Sequence, residues 1–322
     1  MPMKPKKISV SGKDVLLIAG FIGLVATATG AQNNNAKAST SAKSMTGSVA
    51  VAAVGAGGAP DVAKTLKTAA EAVGLARWSG VGGERLPEVD VVNSMEFWAT
   101  GTTYGSGQSS KPGETLPAFK TEYHVALSYN PPAMRVEMTR TPAQVGAAPL
   151  HSIQVVREKY AWDESEIGGG LIPGKGTATP AMAATTNRLL QLWILPYGVL
   201  KEAMAAGDKT KISIENGSTV LTFPLSGQLA GITVKATLDA DNQVSKVETR
   251  SDNPALTDLI TETQYSDYAD HGEIPTDVKS PAHIVRKQGG RLVMDIQVKT
   301  LDANNPYLVF PVPPNIKEAA SH

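Results

Sequence analysis

The sequence predicts a mainly β fold, an antiparallel sheet packed on a kinked central helix, and three observations predict it. First, residues 119–129 alternate strictly: Phe119, Thr121, Tyr123, Val125, Leu127 and Tyr129 share one strand face, and Lys120, Glu122, His124, Ala126 and Ser128 share the other. Second, the alternation returns at Ile232, Val234, Ala236 and Leu238 and at Leu292, Met294, Ile296 and Val298. Such a pattern belongs to antiparallel sheet with one buried face. Third, one long segment, 180–206, breaks the strand pattern with helical spacing of Met182, Leu189, Leu190, Trp193, Ile194, Leu200 and Met204.

In chain order, the first structured element is a short amphipathic helix. Asp61 is placed to cap it, Val62, Leu66, Ala69, Ala70 and Val73 form its apolar face, and Gly74 is placed to end it. Candidate strands follow at 94–104, 119–129, 133–140, 151–156, 159–162, 211–215, 219–224, 231–239, 243–251, 261–268, 282–287 and 291–300. Turn residues separate most of them, including Asn130-Pro131-Pro132 and Asp241-Asn242. Asn216-Gly217 and Gly289-Gly290 are the strongest hairpin signals, because both central positions of a type I′ turn need positive φ. Within the helical segment, Pro196 lacks an N–H to donate, so the helix is expected to kink or split there.

The N-terminus reads as an export signal. Lys4, Lys6, Lys7 and Lys13 precede an uncharged apolar run over 15–26, and Ala26-Thr27-Ala28, followed by Gly30 and Ala31, offers small-residue cleavage sites. Residues 1–30 are therefore expected to be a signal peptide, and the protein periplasmic or secreted; an uncleaved anchor is the alternative. Residues 31–60 are rich in Ala, Gly, Ser, Asn and Thr and carry too little large apolar surface to offset the entropy of ordering, which predicts a linker. A single β-rich domain is expected over 61–315, with a tail at 316–322.

Composition narrows the chemistry. Thirty basic and thirty acidic side chains cancel, which disfavours a nucleic-acid partner. The absence of Cys excludes disulfides, thiolate metal sites and a Cys nucleophile. His124, His151, His271, His283 and His322 have no metal-ligand spacing, so neither a metal nor a cofactor is expected. Asp267, Asp270, His271 and Glu273 read as a solvated hairpin loop, Gly168-Gly169-Gly170 with Gly174 and Gly176 as a mobile loop, and Gly101, Gly105 and Gly107 as a turn. No G-x-S-x-G elbow occurs.

Two resemblances bear on function. Tyr265-Ser266-Asp267-Tyr268, residues 284–290, Asp295-Ile296-Gln297-Val298 and Asp252-Asn253-Pro254, with 128–135, Tyr160-Ala161-Trp162 and 191–198, resemble the non-catalytic module that precedes the hydrolase domain in exported bacterial metallo-β-lactamase-fold proteins. No H-x-H-x-D-H sequence is present, so the resemblance implies a module whose hydrolase, if it has one, lies on a separate chain. In architecture the pattern also looks like the LolA- and LppX-type carriers, which implies a curved antiparallel sheet, an open half-barrel, wrapped on the kinked helix with an apolar cavity for acyl chains. The resulting expectation is a non-enzyme that binds a lipid or other apolar small molecule, or an envelope protein partner. Its cavity residues would be Tyr123, Val125, Leu127, Trp162, Leu189, Trp193, Leu200 and Val234.

Overall fold

The computed structural model describes residues 61–75, 92–105, 116–251, 260–270 and 278–321. The leader and linker expected over 1–60, Gly107, the 252–254 motif, and His271, Glu273 and His322 lie outside these residues.

All thirteen strands join one antiparallel sheet: β1 (Ser94–Tyr104), β2 (Ala118–Tyr129), β3 (Pro132–Pro142), β4 (Leu150–Arg157), β5 (Tyr160–Glu164), β6 (Ala178–Pro180), β7 (Lys211–Glu215), β8 (Ser218–Pro224), β9 (Ile232–Leu238), β10 (Val244–Ser251), β11 (Thr261–Ala269), β12 (Ser280–Gln288) and β13 (Arg291–Ala303). The spatial order is β6-β5-β4-β3-β2-β1-β13-β12-β11-β10-β9-β8-β7. The chain thus starts mid-sheet, winds out to one edge, crosses over, and winds back from the other edge until β13 pairs with β1. The sheet does not close, because β6 and β7 remain unpaired edges.

Turn chemistry sets the register. Asn216 and Gly217 take φ of 51° and 84°, and Gly289 and Gly290 take 54° and 76°, as type I′ turns require. Asp61 accepts the Lys64 N–H at the start of α1 (Val62–Ala72). Gly74, at φ 73°, ends that helix in a Schellman pair: its N–H donates to Glu71 O, and Leu75 N–H to Ala70 O.

The long helical segment is not one helix. It begins as strand β6, passes through a 3₁₀ turn at Met182–Ala184, and becomes α2 (Thr185–Trp193) and α3 (Pro196–Ala205). Leu195 is extended and Pro196 opens α3 at its first position, where a missing N–H costs nothing. The joint is tight: a Cβ on Gly198 would stand 2.9 Å from Leu192 O and from the Trp193 backbone. α2 lies against β3, β4 and β5, and α3 against β8 and α1. Together they bridge both wings of the sheet on its inner face.

Buried tyrosines and Arg188 fasten these helices. Tyr265 Oη donates to Ile194 O at 2.7 Å, and Tyr197 Oη donates to Val73 O at 3.3 Å and to Lys279 O. Arg188 Nη1 donates to Val155 O (3.0 Å) and Trp162 O (2.6 Å), and Nη2 to Asp163 Oδ1 (2.5 Å). Burial pushes the hydroxyls of Tyr129, Tyr197, Tyr265 and Tyr268 well above the usual tyrosine value, so all four stay neutral and Tyr197, Tyr265 and Tyr268 donate.

The main core fills the space between the inner face and the helices. A second cluster lies on the outer face of β2–β5, where Ala126, Ala133, Ile153, Val155, Trp162, Ala178, Phe310 and Ile316 pack together. It is closed by α4 (Pro314–Ala319) and the segment leading to it. The 316–322 stretch expected as a tail therefore contributes Ile316, fully buried, to a core. The outer face of β7–β13 is different: cross-strand pairs Lys235–Glu215 (2.7 Å), Lys287–Glu262 (3.4 Å) and His283–Asp295 (2.8 Å) line it.

Candidate functional site

The inner face is where a ligand for this fold would sit, and it is nearly filled. Under the α2–α3 joint, Phe97, Tyr123, Val125, Met134, Leu195, Ile284, Met294 and Ile296 surround about 10 Å³ of open space, with Gln191 and Arg286 at its rim. That is room for at most one water molecule. The expected acyl-chain cavity is thus a closed seam between helix and sheet.

Of the residues expected to line a cavity, Tyr123 and Val125 border this seam. Leu127, Leu189, Leu200 and Val234 belong to the surrounding main core, and Trp193 packs partly buried against it, with its ring 5.5 Å from that of Tyr129. Trp162 is misplaced in the expected set. It stands on the outer face in the second cluster, because its register partner Val155 turns outward there. Met182, expected on the same apolar side as Leu189, also packs with that outer cluster.

Arg286 is the residue that sequence reasoning missed. On β12 it shares the inward parity of Ile284, pairs across the ladder with Thr263 and Met294, and places a guanidinium at the edge of an apolar seam. Its Nε is buried without a hydrogen-bond partner, and Nη1 reaches only Gln191 Oε1 at 3.5 Å. No ion-pair partner for it occurs among the described residues. Its charge acts on the neighbouring hydroxyls: burial raises Tyr123 and Tyr265, and Arg286 works against that rise. A charge at an apolar parity position is a signal the sequence carries openly.

Two other depressions lie among the described residues. On the outer face, Trp98 stacks on His124 at 4.6 Å and borders a groove of about 320 Å³ with Glu122, Glu137, Thr139 and Lys299. His124 faces Glu96 Oε1 at 2.9 Å and Glu137 Oε2 at 3.4 Å, a hydrogen-bonded chain of side chains. At the far wing, Asp239, Asp241, Ser266, Asp267, Tyr268 and Lys279 line an open polar groove of about 710 Å³. Asp239 Oδ1 is committed to its own turn, accepting the N–H groups of Asp241 and Gln243. The Gly168–Gly170 loop folds back on Glu164, whose Oε2 accepts the Gly168 N–H at 2.9 Å, so its glycines serve a packed turn. Among the described residues, no group of three or more His, Asp or Glu side chains is arranged to hold a metal, and no helix is long and apolar enough to cross a membrane. No protein-family model matches this chain, and a search of curated proteins finds no significant match.

Proposed function

We propose that this chain is an exported, non-catalytic module that takes an apolar ligand, a lipid or acyl chain, between the inner face of its sheet and the α2–α3 pair. The observation that carries this reading is the seam under the Leu195–Pro196 joint. It is mainly apolar, has Gln191 and Arg286 at its rim, and is lined by Met134 and Met294, whose unbranched side chains repack readily around a guest. Each methylene buried there contributes about 0.8 kcal/mol, so a long chain gains on the order of 10 kcal/mol gross. Shifting α2 and ordering the guest offset much of that, leaving micromolar affinity.

The tethers of α2 support entry near its middle. Arg188 fastens its first half to the strands and Tyr265 fastens its end, while between them Gln191 has two long contacts, one to Arg286 and one to Asn187 on its own helix, both at 3.5 Å. Native mass spectrometry of the chain mixed with long-chain fatty acids and lysophospholipids tests the reading: one bound lipid per chain is expected, and only unbound protein across the series contradicts it. Intact-mass analysis after fractionation tests export, with a start between Thr29 and Gln32 expected outside the cytoplasm.

A second reading, an accessory or scaffold module for an envelope partner such as a separately encoded metallo-β-lactamase-fold hydrolase, draws on one observation. Tyr307 and Val309 are 85% and 68% exposed in the segment that follows β13. If the lipid series is blank, that apolar surface is the place to test.

A further inference from the structure

We infer that the seam is built for a single-chain amphiphile with an anionic head, and that Arg286 binds the head while the acyl chain lies under the α2–α3 joint. This rests on the apolar-ligand reading above and names the ligand class.

The argument begins with cost. A buried guanidinium N–H without an acceptor forfeits on the order of 1–3 kcal/mol. Two other arginines have a carboxylate close by: Arg188 spends its donors on two carbonyls and Asp163, and Arg135, whose Nε is likewise buried without a hydrogen bond, lies 3.4 Å from Glu164 with the Phe310 ring 5.5 Å from its guanidinium. Arg286 has the same kind of setting without a carboxylate.

Geometry then selects the ligand. Arg286 and Gln191 are both partly exposed and stand at the rim of the seam, whereas Phe97, Leu195 and Ile296 are buried. A molecule that satisfies both ends must carry an anion at one end and a chain of methylenes at the other. The planar fork of Arg286 suits a carboxylate or a phosphate monoester, each of which can accept two parallel N–H bonds. A neutral head such as a hydroxyl can accept one uncharged hydrogen bond but offers no charge and no bidentate fork, and a cationic terminus is repelled.

The test uses the full mature chain and reads affinity by isothermal titration at one pH and low salt. Palmitate and lysophosphatidic acid are compared with the uncharged hexadecanol, for wild type, Arg286→Met and Arg286→Lys. Wild type is expected to bind at least one anionic ligand about tenfold tighter than hexadecanol. Arg286→Met should erase that preference while binding hexadecanol as wild type does, which also shows that the seam is intact. Arg286→Lys should restore part of the preference. If palmitate alone keeps the preference the head is a carboxylate, and if lysophosphatidic acid alone keeps it the head is a phosphate; both outcomes support the assignment. If all three ligands bind but Arg286→Met leaves the preference unchanged, the assignment of Arg286 is overturned and the apolar site survives. If wild type binds none of them, the apolar-ligand reading itself falls.

Discussion

Arg135 and Arg286 stand on opposite faces of one sheet, and the comparison sets a cation with a buried carboxylate beside it against one without. On the outer face, Glu164 is fully buried; it approaches Arg135 Nε at 3.4 Å and accepts from Trp162 Nε1 and Gly168 N, both at 2.9 Å. Phe310 and Ile316 close that cluster over Trp162. Each polar group there serves the packing of the β2–β5 wing. On the inner face, Arg286 has Thr263 and Met294 beside it in the ladder and, among the described residues, only Gln191 within hydrogen-bond reach. Both arginines carry charge into an apolar setting and both have an Nε without a hydrogen bond, yet among the described residues only Arg135 has a carboxylate beside it. A buried cation beside a carboxylate has its charge offset within the fold, whereas one without a carboxylate keeps a donor for which the proposed anionic guest would supply the acceptor.

Substitutions sharpen this contrast, the largest effect coming from the outer cluster. Trp162→Ala should cost about 3–5 kcal/mol in urea unfolding, since the ring is fully buried and its Nε1 is bonded to Glu164. A loss under about 1 kcal/mol would show the outer cluster to be peripheral. Glu164→Gln comes next: it removes the acceptor charge facing Arg135 and should cost roughly 1.5–3 kcal/mol. Arg286→Met should fall at the other extreme, with stability within about 1 kcal/mol of wild type or above it, because no ion pair is lost and a desolvated donor is removed. A large loss from Arg286→Met would mean that the guanidinium already has a structural partner.

Glu202 on α3 offers the smallest and most specific effect. Partial burial raises its carboxyl above the usual value, so the folded state holds that proton more tightly than the unfolded chain does. The associated stability is present below the unfolded carboxyl value and is lost as pH rises through the raised one. Glu202→Gln should therefore melt above wild type at neutral pH, with the difference shrinking on acidification. Melting curves across acid and neutral pH check the sign, and a difference that grows on acidification would contradict it.

The sheet was largely legible from the sequence, and the reasons are local. Alternation in 119–129, with Leu127 in and Glu122 out, marks both a strand and its buried face. The glycine turns at Gly217 and Gly290 fix where strands end. Strand β6 was missed because three residues, Ala178–Pro180, carry no periodicity. Trp162 was assigned to the wrong face because an apolar residue on each side of β4 and β5 makes their alternation ambiguous: Val155 and Val156 are both buried, as are Ala161 and Trp162. That double burial comes from α4 and Phe310, distant in sequence. The helix split was foreseeable at Pro196, but the closure of the seam was not. Whether a helix seats fully on a sheet depends on packing among Phe97, Met134, Leu195 and Met294, which come from four separated elements.

The central claim is that an acyl chain enters the seam beside α2. Trp193 sits on that helix between Gln191 and Leu195, so its fluorescence can be read against a bromine-labelled fatty acid. Titration of the wild-type chain with bromostearate should give saturable, one-to-one quenching that is lost in Trp193→Phe while binding of unlabelled stearate persists. Quenching that never saturates, or that survives in Trp193→Phe, would place the lipid elsewhere and contradict the account.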